Sequence, residues 1–335
     1  MKRRRGLAAI AAASVCAAAL TALEITGAAS DPPSSISTSS VPSASSVNSS
    51  ADPGNSRAIG SARSAGRANA KSETANGKLP RNRRVFPGKI LVAYYGTAHT
   101  GALGVLGEAD PATMTRRLRD AARPFAGEGK KPQIVYELIV TVADASAGSD
   151  GNYSHDIPKS YVKEYIRAAR RHHALLVMDF QPGREGFLSQ VRRYRWALKS
   201  PFVGVALDPE WRMGPGEVPG QTIGSVDAAE VNRVSRYVSR LTRAEHLRQK
   251  LFMLHQFRTD MVHHISRVQG HPQLAMVQHV DGFGTQGQKL ATYHAVARPQ
   301  KFHLGFKLFY DEDIDLFRPR EVLKIKPNVQ FISYQ

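Results

Sequence analysis

Eight short apolar runs, separated by longer amphipathic stretches, fill the chain from Val85 onward and limit its fold more than any other feature. The runs cover 90–95, 133–140, 174–179, 203–208, 250–256, 274–281, 303–310 and 329–334. Their length and their content of Val, Ile, Leu and aromatic residues read as strands buried on both faces. Helical periodicity lies between them, over 111–122, 158–172, 185–199, 227–241 and 288–297. Asp227 with Glu230 three residues later has the spacing of a capping pair. Strands alternating with helices imply parallel pairing through right-handed crossovers. Eight repeats in about 250 residues predict an α/β protein, a single-domain (β/α)8 TIM-type barrel over 86–335. A doubly wound open sheet would carry a glycine-rich phosphate loop after its first strand. Gly101, Gly104 and Gly107 are too scattered to form one.

Such barrels keep their chemistry at the C-terminal strand ends. The fourth run passes straight into Asp208-Pro209-Glu210-Trp211. Strand alternation sets Asp208 and Glu210 on one face, about 7 Å apart, with Gly204 and Ala206 leaving room beside them. Two carboxyls aimed into one cleft are what hydrolysis of a glycosidic bond needs. The structural alternative is an Asp–Arg pair and a surface Glu at a strand-to-loop junction.

The other strand ends add Tyr94 and Tyr95, then Asp179, Gln181 and Arg184, then His255 and Gln256, then His279 and Asp281, then Lys307 and Tyr310. Singly, each has a structural role open to it. Asp281 before Gly282 sets a turn, Gln256 serves backbone groups, and His255 and His279 pack in the core. Together they exceed what a purely structural barrel needs. Glu210 is the candidate general acid, its pKa raised by partial burial and by Asp208. Asp208 orients the substrate or stabilises positive charge on the sugar, and Asp179 and Asp281 are candidate second carboxylates. Tyr94, Tyr95, Gln181, Arg184, Trp211, His255, Gln256, His279, Lys307 and Tyr310 are candidate substrate contacts. The glycine- and proline-rich loop 212–225 overhangs this face.

The N-terminus gives an address. Lys2, Arg3, Arg4 and Arg5 precede an apolar run over 6–23 and the small residues Gly27-Ala28-Ala29-Ser30, the pattern of a secretory signal peptide over 1–30. An uncleaved membrane tether is the alternative; the run is at the short limit for a span. Cys16 is the only cysteine, so cleavage would leave no thiol, disulfide or thiolate metal site. Residues 31–85 are rich in Ser, Pro and Ala and are expected to be a disordered basic linker.

The chain carries a net charge of +18; residues 1–85 hold 12 basic and 4 acidic residues, or +8, which leaves +10 on the barrel. That excess suits an anionic polymer such as a cell-wall glycan. No nucleic-acid motif is present, so nucleic acid is not an expected partner. No cofactor and no metal is expected. Metal-assisted hydrolysis by Asp179, Asp208, His255 and His279 ranks last, because Ala93 and Tyr95 stand where barrel metallohydrolases carry a His-x-His.

The first strand, Val92-Ala93-Tyr94-Tyr95-Gly96, and the fourth resemble family 18 chitinases and related N-acetylglucosaminidases. The strand-four motif there is D-x-x-D-x-D-x-E, which falls on Val203, Ala206, Asp208 and Glu210 here, so only the last two acids match. The resemblance implies that Glu210 is the general acid and that Asp208 orients a substrate acetamido group acting as nucleophile. Asp179-Phe180-Gln181-Pro182 departs from the Ser-x-Gly-Gly pattern of that family. Asp208-Pro209-Glu210 is also similar to the strand-four Asp-x-Glu of family 25 lysozymes. A wider resemblance, carried by Gln181-Pro182-Gly183-Arg184 and by segments 207–213, 223–230, 279–284 and 305–313, is to a secreted actinobacterial barrel family labelled lipoprotein. That likeness implies a cell-envelope address and no chemistry.

Two functional classes follow. One is a secreted glycoside hydrolase-like barrel acting on an amino-sugar wall polymer. The other is a non-catalytic wall-binding barrel held by its basic tether.

Overall fold

The computed structural model of the chain describes residues 79–127 and 129–335. The signal peptide and most of the linker, over 1–78, lie outside the described residues.

In chain order the strands are β1 (Lys89–Gly96), β2 (Lys131–Ala143), β3 (Ser154–Asp156), β4 (Leu175–Phe180), β5 (Val203–Leu207), β6 (Val226–Asp227), β7 (Lys250–Gln256), β8 (Val262–His263), β9 (Leu274–Val280), β10 (His303–Leu308) and β11 (Val329–Tyr334). Eight of them pair in parallel in the order β1-β2-β4-β5-β7-β9-β10-β11, and β11 pairs back to β1, which closes the sheet. Helices α1 (Pro111–Ala122), α2 (Lys159–His172), α3 (Phe187–Arg193), α4 (Arg195–Leu198), α5 (Ala228–Ala244), α6 (Gln286–Val296) and α7 (Pro319–Val322) are interleaved with them. The chain is therefore a single α/β TIM barrel. The short β3 extends β2 antiparallel, and β6 and β8 pair outside the barrel.

Three local expectations are corrected. The fourth run ends as a strand at Leu207. Pro209 then opens a 3-10 turn, Pro209–Trp211, with Asp208 as its N-cap, so Asp208 and Glu210 are not alternate residues of one strand. The helix expected over 185–199 breaks at Tyr194, whose hydroxyl donates to the Val140 carbonyl at 2.8 Å and whose ring packs edge-on against Phe180. Asp227 caps α5 through the Ala229 N–H, but Glu230 does not complete a capping box. Its Oε1 accepts from the Phe187 N–H at 2.9 Å and pairs with Arg212 at 3.3 Å, tying α3 and the loop after β5 to α5.

Alternation sorts each barrel strand into an outer face, packed on helices, and an inner one. Leu91, Ala93, Val135, Val177, Ala206, Leu251, Met253, Ala275, Val277 and Phe331 form the inner apolar core. Val85 and Phe86 join it at the N-terminal end of the barrel, where the Phe86 ring stacks on His303 at 4.0 Å. Val85, assigned to the linker from sequence, is thus part of the barrel, and Arg83 before it is fastened to the same end. Arg83 donates to the carbonyls of His246 and Leu247 at 2.7 and 2.8 Å.

One step nearer the C-terminal mouth, the inward positions turn polar: Tyr95, Glu137, Asp179, His255, His279, Lys307 and Ser333, all buried. Apolar residues below and polar residues above divide the barrel into a structural floor and a candidate site.

Candidate active site

The centre of this layer is His255, near the end of β7. Its Nδ1 meets Asp281 Oδ2 at 2.7 Å, its Nε2 lies 3.1 Å from Glu137 Oε1, and Asp179 Oδ1 is 3.8 Å from the same nitrogen. Three strands thus aim carboxylates at one fully buried imidazole. Burial alone would lower the His255 pKa, but Asp281 and Glu137 outweigh it and hold it well above the ordinary value. His255 is therefore an imidazolium, able to donate from both nitrogens.

Lys307, from β10, is the second buried cation. Its Nζ sits 3.7 Å from Asp281 Oδ2, 3.3 Å from Gln335 Oε1 and 3.6 Å above the Tyr95 ring. Burial opposes its charge, yet Asp281, Glu137, Asp208 and Asp179 raise its pKa above the ordinary value. Between these two cations Asp281 is pulled down to about 2, against its own burial. The Tyr95 hydroxyl donates to Asp179 Oδ2 at 3.0 Å and accepts from Gln181 Nε2 at 3.3 Å. Burial, with Glu137 close by, pushes Asp179 up to about 6 despite His255.

Asp208 and Glu210 behave differently. Asp208 is buried and accepts from the Glu210 backbone N–H at 3.3 Å. Burial first, then Asp179 and Asp281, push its pKa up to about 8 against the pull of His255. Glu210 stands in the turn above and keeps partial exposure. Burial, then Asp208 and Asp281, push it to about 8 as well. At neutral pH the mouth thus presents a protonated carboxyl on its rim, over a fixed layer of ion pairs.

His279 belongs to a separate pair. Its Nε2 meets Ser333 Oγ at 2.7 Å, and burial with His255 and Lys307 beside it holds its pKa well below the ordinary value, so it is neutral. A Cβ on Gly305 would come within 2.3 Å of its Nδ1, so the glycine makes room for the ring.

Several expected contacts are turned elsewhere. Tyr94 alternates with Tyr95 and faces outward, edge-on to Tyr334, on which the partly exposed Tyr310 stacks at 5.2 Å. Gln256 also faces outward, accepting from Gln278 Nε2 and donating to the Arg258 carbonyl. Arg184 lies over the Tyr153 ring and donates to the Glu217 carbonyl, which fastens the loop after β5. Trp211 is half-buried in the turn beside Glu210. Among the described residues no group of three His, Cys, Asp or Glu side chains is arranged to hold a metal ion.

Glu137 and Ser333 are the members of the polar layer that sequence reasoning missed. A glutamate inside the apolar run 133–140 was the available signal for the first. Glu137 Oε2, Asp281 Oδ1 and His279 Nδ1 are buried with no hydrogen-bond partner, while Glu137 Oε1 and Asp179 Oδ1 face His255 Nε2 only as ion pairs of 3.1 and 3.8 Å. Each orphaned group costs about 1–3 kcal/mol, and their concentration in one layer makes it the candidate site.

Comparison with family models and with curated proteins found no match for this chain.

Proposed function

We propose that the barrel is an extracytoplasmic glycoside hydrolase acting on an amino-sugar polymer of the cell wall, with Glu210 as general acid. One observation carries this reading: Glu210 is a rim carboxyl whose pKa is pushed to about 8, so it holds a proton at neutral pH where a glycosidic oxygen would approach. In the reaction it gives that proton to the leaving oxygen as the bond to the anomeric carbon breaks, and the ionised Glu210 then takes a proton from the water that adds to that carbon, which restores the acid and completes the hydrolysis. Asp208, protonated and hydrogen-bonded to the turn that carries Glu210, orients the substrate. Asp281, ionised between His255 and Lys307, fixes the field in which both carboxyls sit. The half-buried Trp211 ring offers an apolar face for a sugar. The basic charge of the barrel and the sequence resemblances described above support a wall glycan as substrate and an envelope address.

The test is release of reducing ends from solubilised peptidoglycan and chitin oligomers by the full-length protein, beside Glu210→Gln. The expected loss in the variant is about 10²–10⁴-fold, the usual worth of general acid–base catalysis.

A second reading, a wall-glycan-binding barrel without turnover, is favoured by the burial of Glu137, Asp179 and His255, which leaves little of the charged layer open to a ligand. It predicts glycan affinity that Glu210→Gln leaves unchanged and no reducing ends from either protein.

A further inference from the structure

Two adjoining grooves run along the outside of α5. One is lined by Arg236, Arg240, Arg243 and His271, and the other by Arg192, Arg233, Arg236 and Arg240. The shared arginines make the two grooves a single strip.

Positions 233, 236, 240 and 243 recur every three or four residues, so they form one row on the helix, about 15 Å long. All four are exposed, and so is Arg192 on α3. The opposite face of α5 is locked into the core by Val231, Val234, Val238 and Leu241, which keeps the row turned outward. Like charges one turn apart repel, and the carboxylates at either end of the helix do not relieve them. Glu230 is taken by Arg212, and Glu245 by Arg195 and Lys199 at 3.3 and 3.2 Å. None of the five arginines meets a carboxylate among the described residues. In the groove wall His271 Nε2 is buried with no hydrogen-bond partner.

The N-terminal segment arrives at the same place. Arg83 is bound to carbonyls just past the end of α5, and Gln249 joins Val85 to Pro272 beside His271 through bonds of 3.1 Å each.

We propose that the α5 arginine row is a binding site for a linear, phosphate-bearing polyanion. A guanidinium takes two phosphate oxygens at once, whereas a lysine offers only a point charge. A chain fits better than a lipid surface, because the arginines line connected concave grooves. Among the described residues the exposed large apolar side chains are Tyr310, Ile314 and Leu323, all on the segment between β10 and β11 rather than on α5, so the described part of this face offers nothing suited to enter a bilayer. This inference is independent of the proposed hydrolysis.

Fluorescence anisotropy of labelled long-chain inorganic polyphosphate, titrated with the full-length protein at stepped salt, tests it. Arg236→Gln with Arg240→Gln should weaken binding at least tenfold and flatten the salt dependence by about two phosphate contacts. Arg167→Gln with Arg170→Gln on α2, also exposed, should change affinity less than twofold. Unchanged thermal melting verifies that both variants fold. Equal losses in both variants, or none in the α5 variant, would overturn the proposal and leave diffuse charge as the cause. Row-dependent sedimentation with phosphatidylglycerol vesicles, without polyphosphate binding, would overturn it in favour of a membrane surface.

Discussion

His255 Nδ1 lies 2.7 Å from Asp281 Oδ2, and the pair is buried at the end of two neighbouring strands, β7 and β9. The imidazolium depends on this carboxylate more than on any other neighbour, and Lys307 leans on the same oxygen. Asp281→Asn therefore strands two buried cations at once. A loss of about 3–5 kcal/mol is expected from breaking a buried pair on one side only, read by urea unfolding at pH 7. The His255 pKa should fall with it, followed by NMR titration. A loss below about 1 kcal/mol would mean that Glu137 and Asp179 already suffice to hold the charge.

The same residue sets the acid limit. Asp281 titrates at about 2 in the folded protein and near 3.9 when unfolded. Between those values the unfolded chain binds more protons, so stability falls as pH drops from about 4 to 2. The Asp281→Asn variant should lack that component in thermal melts across this window.

Asp208 and Glu210 contribute with the opposite sign. Their folded values, about 8, lie far above the ordinary carboxyl range. The folded protein then holds more protons than the unfolded chain between about pH 4 and 8, so stability drops as pH rises through that window. Asp208→Asn is neutral throughout and should flatten the decline of the melting temperature between pH 5 and 8. An unchanged slope would show that Asp208 is ionised in the folded state at pH 7.

On the proposed function, kcat/KM should fall above about pH 8, where Glu210 gives up its proton. Asp208 ionises over the same range, and its charge is the one that raises Glu210 most as the two titrate. Its replacement by Asn should move the basic limb of the pH profile to lower pH, beyond any change in the maximal rate. A limb that stays in place would assign the proton to another group.

The barrel was legible because its strands are buried on both faces and so read as unbroken apolar runs. That same uniformity hid their parity. Nothing in Tyr94-Tyr95 tells which ring faces the axis, and only Tyr95 does. Strand alternation also misread Asp208 and Glu210. Pro209 ends β5 and coils the chain into a turn, and the two carboxyls are brought together by that turn rather than by a shared strand face. Glu137 was missed because a charged residue in an apolar run reads as an interruption until its partners His255 and Lys307, far along the chain, are in place. Glu230 was misassigned for a related reason, since contacts with Phe187 and Arg212 outweigh local capping.

Gly305 offers the sharpest test of how tightly the polar layer is packed. A Cβ there would meet His279 Nδ1 at 2.3 Å and His279 Cα at 3.2 Å, so the ring must leave its 2.7 Å contact with Ser333 or the strand must shift. Gly305→Ala should cost about 1–3 kcal/mol, the usual range for overpacking a filled interior. If the clash with the imidazole is the cause, the cost should shrink in a His279→Ala background, where the ring is gone. A double-mutant cycle by urea unfolding reads this as a favourable coupling between the two substitutions. Additive losses would place the strain in the β10 backbone instead, and the packing of His279 against Gly305 would then have no part in fixing the polar layer.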